Sequence, residues 1–191
     1  MKLQCIHQNE VVYIVVFSFA AERIDKTSNK DIIDRRRQRY MKISIGCDEL
    51  GITYKDMVKE IFSKKGHEFV DVGSFMGEKI NYPSVAYKAV KEMTEGDCER
   101  CILICGTGIG MALTANKIKG AYAAVCHDIY STQRSILSNN CNTMCMGALV
   151  IGPKTVETLV DIWLSLKFDT ASRSMPKVQE IYDIEAGRFD K

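Results

Sequence analysis

The feature that most restricts how this chain can fold is a repeated change of hydrophobic period. From Met41 onward, short apolar runs alternate with segments whose apolar residues fall three or four positions apart. The run KISIG (Lys42–Gly46) reads as a strand. Gly51 to Lys65 then reads as a helix with Met57, Ile61 and Phe62 on one face, closed by Gly66. HEFVDVG is a second strand, and Pro83 opens a second helix reaching about Glu95, since proline suits a first helical turn. RCILIC is apolar throughout, as a central strand is. A helix from Gly110 to Lys117, the strand AYAAVC, and a helix capped by Asp128 and running to about Ser138 follow. The strand TMCMG, a helix from Pro153 to Phe168 with Trp163 inward, and a last helix starting near Met175 or Pro176 complete the chain. Strands separated in this way by helices pair in parallel, with the connections covering both faces. The expectation is an α/β, three-layer Rossmann-like (flavodoxin-like) fold with a five-stranded parallel sheet. Sheets of this kind bind ligands beyond the carboxyl ends of their strands. Those ends carry Cys47 and Asp48, then Cys105 to Gly110, then His127 and Asp128.

Composition narrows the class of function. With 191 residues, 46% of them hydrophobic, the chain can bury one substantial core. A net charge of +2 points to neither nucleic acid nor an anionic membrane as a partner. No apolar run approaches the ~18–20 residues needed to span a bilayer. Of the eight cysteines, Cys101, Cys105, Cys126 and Cys145 lie inside strand-like runs, where cysteine acts as a small buried hydrophobe. This usage reads as a reducing, cytoplasmic setting. Cys98 and Cys101 have CxxC spacing without a second pair at zinc-site spacing, so no metal site is read there. Residues 1–40 differ from the rest: the apolar run VVYIVVFSFAA is followed by a polar, basic stretch ending RRRQRY. They read as an N-terminal extension or a mis-set start, with residues 41–191 forming the functional domain.

The segment CILICGTGIGMALTANKIKG (Cys101–Gly120) carries the chemistry. Gly106, Gly108 and Gly110 follow the third strand and precede a helix, an arrangement that exposes backbone N–H groups to an anion. The spacing G-x-G-x-G, after a third rather than a first strand, does not match a dinucleotide fingerprint, and no Gly-Lys-Ser/Thr follows to make a P-loop. The same location favours a thiolate, so Cys105 is either a base or nucleophile beside an anion hole, or a buried strand-end cysteine at a tight turn.

The stretches IGCDELG, NYPSVA and ILICGTGIGMALTANKIKG, with the asparagine spacing that begins at Asn139, resemble the ribose-5-phosphate isomerase B and galactose-6-phosphate isomerase family from Met41 to about Ile184. That family interconverts aldose and ketose phosphates with no metal or cofactor. The resemblance implies that Cys105 moves a proton between C1 and C2 through a cis-enediolate and that Thr107 helps to handle the hydroxyl protons. It implies that amides from Gly106 to Gly110 hold the enediolate charge, and that Asp48 and Tyr82 bind sugar hydroxyls. It also implies that Asn139 reaches the site from a neighbouring subunit of a homodimer or homotetramer, and that Arg173 and Lys177 hold the phosphate.

Departures from the pattern are equally informative. Glu49 stands where the family's aldose isomerases carry histidine, and is read as a hydroxyl binder or second acid–base group. Ser138 replaces the histidine thought to open the sugar ring, Leu149 replaces a phosphate-binding arginine, Ser174 replaces a histidine, and Lys177 replaces an arginine. Of the three histidines, His7 lies in the extension, His67 reads as a solvated turn residue, and His127 ends the fourth strand near the site, where it offers a substitute acid–base group. Three functions fit: an isomerase of a sugar phosphate that needs no ring opening, the cysteine-bearing subunit of a heteromeric galactose-6-phosphate-type isomerase, or a non-catalytic sugar-phosphate binder. A retained Cys105 and Thr107 weigh against the last.

Overall fold

A computed structural model describes residues 40–189, in which five strands and six helices alternate. The strands are β1 (Lys42–Cys47), β2 (Glu68–Asp71), β3 (Arg100–Cys105), β4 (Ala123–Val125) and β5 (Thr143–Gly147). The helices are α1 (Ile52–Lys64), α2 (Tyr82–Thr94), α3 (Ile109–Ala115), α4 (Ile129–Leu137), α5 (Pro153–Ser165) and α6 (Met175–Glu185). The reading of residues 1–40 as an extension falls, Tyr40 apart, outside the described residues. No helix among the described residues is long and apolar enough to cross a membrane.

All strand pairs are parallel, as the alternation predicts, in the order β2-β1-β3-β5-β4. The flavodoxin-like order 2-1-3-4-5 would have left β5 at the edge. Burial explains the exchange. Every residue of β5 is buried, whereas the three residues of β4 are half-exposed, and a short half-covered strand is suited to an edge. Successive side chains of β3 point to opposite faces. Ile102 and Ile104 join Met144, Met146, Phe62 and Trp163 in a core with α1, α4 and α5. Cys101, Leu103 and Cys105 point the other way, into a layer of small residues on α2 and α3 that includes Ala86, Ala89, Ala112 and Ala115. Trp163, Met144 and Met146 are completely buried, as their places on apolar faces require.

Two differences from the sequence reading have clear causes. Helix α5 ends at Ser165, three residues before Phe168, because Leu166 turns to extended backbone (φ −93°, ψ 150°). The guanidinium of Arg100, the first residue of β3, donates to the carbonyls of Trp163 and Leu166, satisfying acceptors that a helix end leaves open. His67, expected in solvent, is instead 3% exposed and accepts the Met41 N–H on Nδ1 at 3.3 Å. Burial pushes its pKa below the ordinary 6.5, with Lys65 acting in the same direction. A depressed folded value means that its stabilisation is present above pH 6.5 and is lost as pH falls through the lowered folded value. We therefore expect the thermal midpoint to fall as pH is lowered from about 7 to about 5, and His67→Gln, which keeps an acceptor for Met41, to flatten that dependence in a calorimetric series. An unchanged pH dependence in the variant would remove His67 from the account.

Candidate active site

The ends of β1, β3 and β5 are brought level by strand register, with Cys47 opposite Ile104 and Cys105 opposite Gly147. Cys105 is the last residue of β3, and the chain reaches α3 within four residues. Gly108 makes this turn possible. Its φ is +76°, and a methyl group on it would stand 3.0 to 3.2 Å from the Met146 backbone, so a side chain would be both strained and crowded. No side chain caps α3. Instead the Gly108 N–H donates to Cys105 Sγ at 3.1 Å. Although Cys105 is only 4% exposed, its sulfur is turned toward the glycine loop and not into the apolar layer alone. A backbone donor aimed at sulfur stabilises negative charge there.

The other residues expected around this thiol are placed against the same loop. Thr107 is exposed at its crest and accepts the Ile109 N–H on Oγ1 at 3.4 Å. Tyr82, the first residue of α2, lays its ring on Gly110, where a methyl group would come within 2.5 Å of the ring and 3.0 Å of the hydroxyl. Asp48 sits in the β1–α1 turn, 9% exposed, and accepts the Leu50 N–H at 3.0 Å. Burial pushes its carboxyl above the usual pKa. Glu49 is exposed beside it. Leu50 and Leu149 close over Gly106, each within 3.4 Å of where a methyl group would be. Leu149 thus puts an apolar side chain, 73% exposed, at the rim where the resemblance calls for arginine.

His127, which the sequence offers as a substitute acid–base group, is engaged by backbone at the end of β5. Its Nε2 accepts the Gly147 N–H at 2.9 Å, and burial lowers its pKa. The ring ties the end of β4 to the end of β5.

Asn139, Arg173 and Lys177 are not brought to the thiol loop of their own chain. They line a separate cavity of about 600 Å³ where the carboxyl end of α4 meets the start of α6, and no residue of the 105–110 loop lines it. Tyr130, Arg134 and Ser138 line it too. Asn139 donates to the Arg134 carbonyl at 3.1 Å, and the Arg134 guanidinium donates to Ser138 Oγ. Among the described residues none of Arg134, Arg173 and Lys177 forms an ion pair with a carboxylate. Sequence reasoning missed Arg134 and Tyr130. The signal was available in helical spacing, since Arg134 stands four residues before Ser138 and so shares its face of α4. The predicted site is therefore two clusters on one chain: a thiol loop with its hydroxyl binders, and a cationic cavity.

Comparison with known proteins places the chain among its relatives. The family model described as Ribose/Galactose Isomerase matches residues 43–181. A protein of Listeria innocua named ribose-5-P isomerase B is 50% identical over 145 residues, covering 76% of this chain and 97% of its own. D-erythrulose-4-phosphate isomerase 2 of Mycolicibacterium smegmatis is 42% identical, covering 74% of this chain and 95% of its own. Among solved structures, ribose-5-phosphate isomerase B of Clostridium thermocellum superposes with a TM-score of 0.74 at 35% identity, over 78% of this chain and all of that one.

Proposed function

The chain belongs to the ribose/galactose isomerase family, and from that premise we propose that it interconverts the aldose and ketose forms of a sugar phosphate, with the Cys105 sulfur as the base. The observation that carries this reading is the Gly108 N–H aimed at Cys105 Sγ in a tight turn whose positive φ at position 108 calls for glycine. The ionised sulfur takes the proton from C2 of the aldose, and the carbonyl oxygen on C1 takes up the resulting charge. The proton returns to C1 while the hydroxyl proton passes from O2 to O1, giving the ketose. Thr107 Oγ1, exposed on the loop, passes the proton between the oxygens. The Gly108 amide is committed to the sulfur, so the enediolate charge falls to the other amides of the 106–110 loop. One well-placed donor at such a charge contributes about 3–4 kcal/mol. Asp48, Glu49 and Tyr82 bind the sugar hydroxyls, and no cofactor takes part in these steps.

The substrate that best fits this chain is a four-carbon sugar phosphate. A tetrose phosphorylated on its terminal hydroxyl cannot close a five-membered ring through that oxygen, so it needs no ring-opening acid. The side chain at position 138 supports this: it is a serine whose hydroxyl is engaged by Arg134. The 42% identical relative named for D-erythrulose 4-phosphate agrees with it. The 50% identical relative named for ribose 5-phosphate favours the five-carbon alternative. Proton exchange followed by NMR over a panel of aldose and ketose phosphates decides between them. Higher kcat/KM on D-erythrose 4-phosphate than on D-ribose 5-phosphate is expected, and the reverse order would sink the four-carbon reading.

The separation of the two clusters supports a site shared between subunits, in which one protomer supplies the thiol loop and its partner supplies Asn139, Arg173 and Lys177. The exposed apolar side chains of Leu50, Ile109, Leu149 and Val150 around the loop suit a surface covered by a second chain. In this arrangement Arg173 binds phosphate equally in ground and transition states. Arg173→Ala should then raise KM about tenfold while kcat changes less, because uniform binding is what KM reports. Steady-state kinetics checks this, and an unchanged KM would remove Arg173 from the phosphate site.

A further inference from the structure

The cationic cavity holds one group that the resemblance does not assign. Arg134 lies on the last turns of α4, half-buried, and lines the same cavity as Arg173, which precedes α6, and Lys177 in its first turn. Three cations around about 600 Å³ with no carboxylate partner among the described residues repel one another. Such an arrangement is stable when an anion of matching charge enters. A guanidinium carries five donors in a planar fork suited to phosphate oxygens, and one of these is used by Ser138 Oγ. That bond fixes the direction of the fork. Helical spacing makes it possible, since residues four apart share a face.

We propose that Arg134 is a third phosphate-binding residue of this isomerase and that Ser138 is its positioning residue. The inference rests on the reading of Arg173 and Lys177 as phosphate ligands and extends it. It also gives Ser138 a task of its own: the hydroxyl orients a cation, where the family pattern has an acid.

The test uses the full-length protein with inorganic phosphate as the binding probe and D-erythrose 4-phosphate as substrate. Arg134→Gln keeps a donor for Ser138 and removes the charge. It is expected to weaken inorganic phosphate about tenfold, read as competitive inhibition and as loss of phosphate-induced thermal stabilisation, and to raise KM by a similar factor with a smaller change in kcat. Arg134→Lys should recover most of that loss. Ser138→Ala should weaken phosphate about threefold, and Ser138→Thr, which keeps the hydroxyl, should restore it. Arg173→Gln is the control. If it weakens phosphate while Arg134→Gln binds as the natural protein does, the inference is overturned and the phosphate cavity stands. If neither variant changes phosphate affinity, the cavity assignment fails and takes the inference with it. An Arg134→Lys protein that binds phosphate no better than Arg134→Gln would show a merely structural role and overturns the proposal as well.

Discussion

Cys105→Ser is expected to lower kcat by about 10³-fold and to leave the protein folded, the factor being what removal of a positioned acid–base group costs. The two halves of this expectation come from different features of the same residue. As a structural element, the sulfur accepts the Gly108 N–H in a buried turn. A variant without an acceptor leaves that donor unpaired, at a cost of about 1–3 kcal/mol. Serine keeps an acceptor of similar shape, so the loop and the α3 start should survive. As a base, a hydroxyl is far weaker than a thiolate near neutral pH, and nothing in the loop replaces it: Thr107 is another hydroxyl, and His127, beyond the end of β4, has its Nε2 committed to the Gly147 N–H. Cys105→Ala should lose activity to the same degree and also some thermal stability, so the pair separates chemistry from folding. The measurements are kcat by proton exchange and the unfolding midpoint of each variant. A serine variant that retains a tenth of the natural kcat would show that the proton moves by another group.

The order of elements and the turn at Cys105 were legible in the sequence, and what was not legible has physical causes. The order of elements follows from hydrophobic period, because a strand or helix signals its own buried face. Cys105 at a strand end before three glycines is a local pattern of that sort. Strand order is different in kind. β5 lies between β3 and β4, where its residues are buried more completely than those of AAV, and that contrast exists only once the layers are packed. His67 gives no local sign of burial, since its acceptor bond is to Met41, at the start of β1. The end of α5 is set by Arg100, distant in sequence. Arg134 sits at a helix position where arginine is usually solvated, and only the meeting of α4 with α6 gives it a cavity to line. Local structure was legible, then, while the features that depend on which surfaces meet were not.

The same contrast governs the second large effect. Because the thiol loop and the cationic cavity lie apart on one chain, the proposed shared site would take one half from each of two protomers related by a two-fold axis. Two variants expose this. Cys105→Ala has a dead thiol loop and an intact cavity, while the double variant Arg173→Ala and Lys177→Ala has the opposite pair. Each alone should show almost no turnover at substrate concentrations far below the double variant's KM. When the two chains are unfolded together and refolded, random pairing makes about half of the dimers mixed. A mixed dimer contains one site with both defects and one site with none, because the intact loop of one chain meets the intact cavity of the other. Activity should therefore rise to about a quarter of that of the natural protein under the same conditions. If each chain built its own site, every site in the mixture would still carry one defect, and refolding would return only the average of the two parents. Recovery to that average and no further would place the loop and the cavity in the same protomer's site, and the shared-site reading of Asn139, Arg173 and Lys177 would fall with it.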